Sequence, residues 1–173
     1  MWEKNDVWMN RGHVKDVMDC LTASGEACEM IIVCPDAGGG DPNIFQNGYF
    51  DMPGWAYETF FFTEFLPYVE KRFRVIGDKR NRAVAGLSMG GGGATCYGQR
   101  HTELFCAVYA MSALMDIPEE GAARFNDPNG KLAVLTRSVI EKSCVKYVTG
   151  ADEERKNELR SVAWFVDCGD DDF

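Results

Sequence analysis

The chain has 173 residues, 46% of them hydrophobic and 26% charged, with a formal net charge of −9 at pH 7. That length supports one domain with a substantial core and is short for two. The acidic balance offers no basic patch to neutralise phosphates, which argues against a nucleic-acid partner. No apolar run reaches the length of a membrane span.

From the N-terminus, MWEKNDVWMN has no clear period and lacks the apolar core of a signal peptide. Between Gly12 and Thr22 the positions Val14, Val17, Met18 and Leu21 recur at helical spacing, which predicts an amphipathic helix. Met30-Ile31-Ile32-Val33-Cys34 is a continuous apolar run, the form of a central parallel strand buried on both faces. Pro35-Asp36-Ala37-Gly38-Gly39-Gly40 would end it at a C-terminal strand edge, where α/β folds place ligands. A long loop rich in Gly, Pro, Asn and aromatic residues follows to Ala56, and loops of that length are usually functional or mobile.

Tyr57 to Phe73 reads as a strong helix with Phe61, Phe62, Phe65, Leu66 and Val69 near one face, and with Pro67 as a candidate kink. Ala83 to Ala85 reads as a buried strand, followed by a helix from about Met89 to Arg100 and a third strand from Phe105 to Met111. Asp116 to Gly130 is mostly loop, Leu132 to Val148 helical, and Asp152 to Arg160 a charged helix end. A fourth strand spans Val162 to Asp167 before the acidic Gly169-Asp170-Asp171-Asp172-Phe173. Alternating strands and helices predict an α/β fold with a parallel sheet. Seven cysteines, with no Cys-x-x-Cys spacing, fit neither a disulfide framework nor a zinc site. Several sit inside apolar runs, so they read as small core residues in a reducing compartment.

The chemistry concentrates in Gly86-Leu87-Ser88-Met89-Gly90, which runs from strand into helix. That order is the context of a nucleophile elbow. Gly86 and Gly90 stand two positions either side of Ser88 because a turn this sharp tolerates almost no flanking side chain. Ser88 would present its hydroxyl at a helix N-terminus, where amides and the helix dipole favour a developing negative charge. The alternative is a glycine-rich turn with an incidental serine.

The runs RNRAVAGLSMGGGGA, YETFFFTEFLPYVEKRF, HTELFCAVYAMSA and WFVDCGDDDF resemble the esterase family of the α/β-hydrolases that includes feruloyl esterases, acetylxylan esterases and esterase D-like enzymes. The resemblance runs from near Val14 to the last residue. It implies a single hydrolase domain over residues 1–173, with a mostly parallel sheet, helices on both faces, and incomplete ends. It implies Ser88 as nucleophile, the Met89 amide as an oxyanion donor, and Asp172, in a Gly-x-x-Asp turn, as the acid that orients a histidine. Physical reasoning alone does not choose among the three adjacent aspartates, and a solvated acidic turn or a divalent-cation site stays open.

Two departures from the family pattern stand out. Its catalytic histidine follows the aspartate, and nothing follows Phe173 here. Its second oxyanion donor comes from a His-Gly loop after an earlier strand, and this chain reads as starting beyond it; Asp36 to Gly40 resembles that loop only superficially. The chain therefore reads as a fragment of a larger esterase, weak on its own and prone to self-association through exposed sheet edges. His101, thirteen residues past Ser88, would stand roughly 20 Å away along a helix rising about 1.5 Å per residue, too far to serve as base. His13 is undetermined by spacing; a residue just before a helix is more often a cap or surface residue than a catalyst.

The expected activity is hydrolysis of acetyl or feruloyl esters on plant polysaccharide, or of small acyl esters, with no cofactor. Tyr49 and Trp55 could give an aromatic surface for a sugar or phenolic group, or could equally be loop anchors. A non-catalytic binding or scaffold module keeping the elbow is the second reading. Nucleotide binding through Gly38 to Asp41 or Gly90 to Gly93 is the third and weakest, since neither has the Walker or Gly-x-Gly-x-x-Gly pattern.

Overall fold

A computed structural model describes residues 5–38 and 47–170, and these fall into two units, Met1–Phe45 and Gln46–Phe173. The first unit carries α1 (Val7–Asn10) and α2 (Val14–Ala23), the latter where the apolar spacing predicts it. His13 occupies the N-cap position of α2 in a left-handed conformation (φ 48°), and its Nδ1 lies 3.5 Å from Asp16 Oδ2.

The strand expected at Met30 to Cys34 does not form. The segment has no regular structure, and Met30, Ile31, Ile32 and Val33 are between 38% and 54% exposed. An apolar β-branched run creates a preference for a sheet interior, but a strand exists only when a neighbour takes up its N–H and C=O groups. Among the described residues no strand pairs with it, and its Cys34 carbonyl accepts instead from Asn5 Nδ2 (2.8 Å).

The second unit opens with a two-stranded antiparallel hairpin, β1 (Asp51–Met52) and β2 (Trp55–Ala56). The predicted helix from Tyr57 follows as α3 (Tyr57–Phe60), a π-helical turn (Phe61–Phe65) and α4 (Leu66–Arg72). The wide turn ends just before Pro67, the residue that cannot donate a backbone bond. Phe61 and Phe62 pack on Tyr97, with ring centroids 5.1 and 4.9 Å apart, so these phenylalanines are core residues as expected.

Three parallel strands then appear in the order β3 (Ala83–Leu87), β4 (Ala107–Met111), β5 (Ala163–Asp167). Each crossover is helical. Helix α5 (Met89–Arg100) joins β3 to β4, and α6 (Lys131–Glu141), α7 (Cys144–Thr149) and α8 (Glu153–Arg160) lie between β4 and β5. The single helix expected from Leu132 to Val148 is broken, because Ser143 caps a new start, its side chain accepting from the Lys146 amide. Asp152 caps α8 in the same way through the Arg155 amide.

Side chains alternate across the sheet. Val84, Val108 and Trp164 face α5, and Val108 is 1% exposed. In register on the other face stand Ala85, Tyr109 and Phe165, then Leu87, Met111 and Asp167. That face is open: Leu87 is 52% exposed and Phe165 58%.

The cysteines divide by burial. Cys96 and Cys144 are core residues, and burial pushes their thiols up to about 11 and about 12, which keeps them protonated and inert. Cys34 and Cys106, which sit inside apolar runs, are only half-buried, and Cys20, Cys28 and Cys168 are exposed.

Arg82, which leads into β3, ties down this end of the sheet. It donates to the carbonyls of Leu104 (2.7 Å) and Gly77 (3.0 Å) and pairs with Glu70. With the Arg82 side chain only 14% exposed, Arg82→Ala would strand a half-buried carboxylate and two carbonyls. The expected cost is about 2–3 kcal/mol, read as a Tm lower by roughly 5–10 °C in a thermal melt.

Candidate active site

Ser88 sits between the last residue of β3 and the first of α5, with φ 56° and ψ −117°. A non-glycine residue holds such a backbone only when its surroundings force it. Three hydrogen bonds do so here. The Ser88 amide donates to the Met111 carbonyl (2.9 Å), and the Ser88 carbonyl accepts from Gly92 (3.1 Å) and Leu114 (2.9 Å). The turn is tight enough that a Cβ on Gly86 would stand 2.1 Å from the Gly90 carbonyl oxygen. Residue 86 has to be glycine. Ser88 itself is exposed. A shallow groove between α7 and α8, lined by Tyr147 and Arg155 among others, does not include it.

Met89 is the first residue of α5, and the first bond closing the helix comes from Gly92. The amides of Met89, Gly90 and Gly91 therefore belong to the unpaired first turn, where a negative charge is favoured.

Tyr49 lies along this same turn. Its Cβ and Cγ stand 3.0 and 2.9 Å from the point where Gly93 would carry a Cβ, and its hydroxyl is 3.3 Å from the equivalent point on Gly90. The ring thus runs along α5 with its hydroxyl toward the helix start. Tyr97 fixes it there by donating to the Tyr49 carbonyl. Burial raises the Tyr97 phenol well above its ordinary range, with the Glu58 carboxylate adding to the shift, so it remains a donor. Trp55 is half-buried: its Nε1 donates to the Gly48 carbonyl (2.9 Å) and its ring stacks on Tyr57 at 5.9 Å. Tyr57 meets Tyr49 edge-on at 6.0 Å, so a run of rings leads from Trp55 to the elbow.

The C-terminal ends of the strands share one edge. Leu87, Met111 and Asp167 are in register, so the segment after β5 leaves the sheet on the Ser88 side. Asp172 lies outside the described residues, as do Gly39, Gly40 and Asp41 of the glycine-rich turn. Asp167, at the end of β5, accepts from the Tyr109 hydroxyl, which raises the Tyr109 phenol.

His101 caps the C-terminus of α5, packs on the Phe62 ring at a tilt of 35° with centroids 3.9 Å apart, and has Nδ1 3.2 Å from Glu103 Oε1. A dozen helical residues separate it from Ser88, and the elbow does not use it. Among the described residues no group of three His, Cys, Asp or Glu side chains could hold a metal ion.

Two residues of this region escaped the sequence reading. Tyr97 looks like any core aromatic until its hydroxyl is seen on the Tyr49 carbonyl. Ser112 carries a positive φ of 40° that no spacing rule signals.

Residues 4–164 match the family described as "Putative esterase". The chain belongs to this family. Its hydrolase-like α/β fold agrees with a solved ferulic acid esterase that is 75% identical, with a TM-score of 0.91, over 99% of this chain and 63% of that one. An endo-1,4-beta-xylanase/feruloyl esterase of Xylanibacter ruminicola is 32% identical over 120 residues, 69% of this chain and 16% of that protein. An esterase of Mycobacterium tuberculosis is 37% identical over 84 residues, 48% of this chain and 18% of that protein. The chain thus spans under a fifth of the curated relatives and 63% of the solved esterase.

Proposed function

We propose that this member of the esterase family is a serine carboxylic-ester hydrolase working through an acyl-enzyme on Ser88. The observation that carries the reading is the strained, exposed Ser88 between β3 and α5, in a turn that admits only glycine at position 86. In the reaction the Ser88 oxygen bonds to the ester carbonyl carbon and its proton passes to a base. The oxyanion forms against the Met89 amide. The carbon–alkoxy bond breaks, the alcohol leaves with a proton, and water then releases the acid and regenerates Ser88. Asp172 would orient the base. His101, packed on Phe62 at the far end of α5, is not that base.

The proposed substrates are acetyl or feruloyl esters of plant polysaccharide, or small acyl esters; the feruloyl and ferulic acid esterases among the similar proteins support the feruloyl class. Tyr49, laid along the first turn of α5, and Trp55 behind it form an aromatic wall suited to a phenolic acyl group or a sugar. Comparing kcat/KM on methyl ferulate and on an acetylated sugar tests this. A preference for the feruloyl ester that Tyr49→Ala removes is the expected result, and equal use of both with no effect of Tyr49→Ala would contradict it.

The sheet face with Leu87, Tyr109 and Phe165, and the outer edges of β3 and β5, which pair with no further strand among the described residues, support self-association. Sedimentation should show concentration-dependent species that Phe165→Glu reduces; a monomer at all concentrations would refute it. A reducing compartment remains the proposal from the cysteines.

A further inference from the structure

The loop leaving β4 is joined both to the Ser88 elbow and to the end of β5. The Met111 carbonyl takes the Ser88 amide (2.9 Å), the Ser112 amide donates to the Asp167 carbonyl (2.9 Å), and the Leu114 amide donates to the Ser88 carbonyl (2.9 Å). The first and third of these bonds hold the elbow. The second holds the end of β5, the strand that leads into the acidic turn. Between them the chain changes direction at Ser112, whose φ is 40°.

The loop has no slack. A Cβ on Gly91 would stand 2.6 Å from the Ala113 Cβ, and a Cβ on Gly92 would stand 1.9 Å from the Leu114 carbonyl oxygen. Behind it the Met115 carbonyl accepts from the Cys144 amide (2.9 Å), which fixes the far end to α7. The first turn of α5 therefore rests directly on residues 113 and 114. A shift of the loop would be transmitted to Ser88 through its own carbonyl.

We infer that Ser112 is a positioning residue: its left-handed backbone directs the 112–114 turn so that one loop sets the spacing of the nucleophile elbow from the strand that leads to the acid. This rests on the reading of Ser88 as nucleophile. The side chain is incidental to the role, and the backbone conformation is what matters. Left-handed geometry is open to glycine, tolerated by serine, and strongly disfavoured by β-branched residues.

Two substitutions separate backbone from hydroxyl. Ser112→Thr keeps the hydroxyl and adds a β-branch, whereas Ser112→Gly loses the hydroxyl and frees the turn. In the intact protein, with p-nitrophenyl acetate as substrate, Ser112→Thr is expected to lower kcat about tenfold or more with KM changed less than about threefold, since small misplacements of reacting groups cost rate steeply. Ser112→Gly is expected to stay within about twofold of the parent. The rate at which a fluorophosphonate labels Ser88 should follow the same order. The reverse order would assign the role to the hydroxyl, and equal rates in all three proteins would show that the turn does not position Ser88. A Gly variant as impaired as the Thr variant would also overturn the inference. If Ser88→Ala, run alongside, kept full turnover, the nucleophile reading itself would fail, whatever the Ser112 variants did.

Discussion

Ser88→Ala is expected to lower ester turnover by roughly 10⁴-fold or more in the intact protein, as loss of the nucleophile does where serine, base and acid act as a unit. KM should change little, because the small side chain adds little to ground-state binding. Stability should hold or rise slightly. Ser88 is exposed, its strained backbone is held by three main-chain hydrogen bonds, and none of these involves the hydroxyl. Full activity in the variant would move the chemistry to another residue. A large fall in Tm would instead give Ser88 a structural role.

Gly86→Ala should have the largest effect on folding. The added methyl would stand 2.1 Å from the Gly90 carbonyl oxygen, 2.2 Å from its carbon and 2.7 Å from the Gly91 nitrogen. All three are backbone atoms of a helix packed against Ala113 and Leu114, so none can swing aside as a flexible side chain would. Overpacking a close-packed site usually costs about 1–3 kcal/mol, and here the contact is with main chain, so about 3 kcal/mol or more is expected. The helix start would also be pushed off the sheet, and Ser88 with it. Chemical denaturation should therefore show a lower midpoint, with activity lost even where the variant is fully folded. A variant with native stability and rate would mean that the turn is looser than its geometry.

The elbow could be read in advance because its constraint is local. Glycine two positions either side of a serine, between an apolar run and small residues, states a steric requirement that holds in any surroundings. The helices Val14–Ala23 and Met89–Arg100 were legible for a related reason: their spacing and small-residue content are properties of a dozen consecutive positions. Met30 to Cys34 marks the opposite case. Its composition states a preference for a sheet interior, but pairing depends on a neighbour that the run itself does not encode. The break near Ser143 shows a weaker form of this. A helical pattern runs through it, and a single capping hydroxyl outweighs that pattern. Ser112 was invisible to pattern reading altogether, since its left-handed turn is held by partners in the Ser88 elbow and on β5 that are distant in sequence.

The central claim, that Ser88 is a nucleophile set on its turn by the backbone around it, is tested most directly by covalent trapping. The intact protein would be treated with a fluorophosphonate, digested, and its peptides mapped by mass spectrometry. A single adduct on the peptide carrying Gly86-Leu87-Ser88-Met89-Gly90, absent from Ser88→Ala and formed in step with loss of esterase activity, is the result expected. An adduct on another residue that accompanies inactivation, or inactivation with Ser88 unmodified, would contradict it.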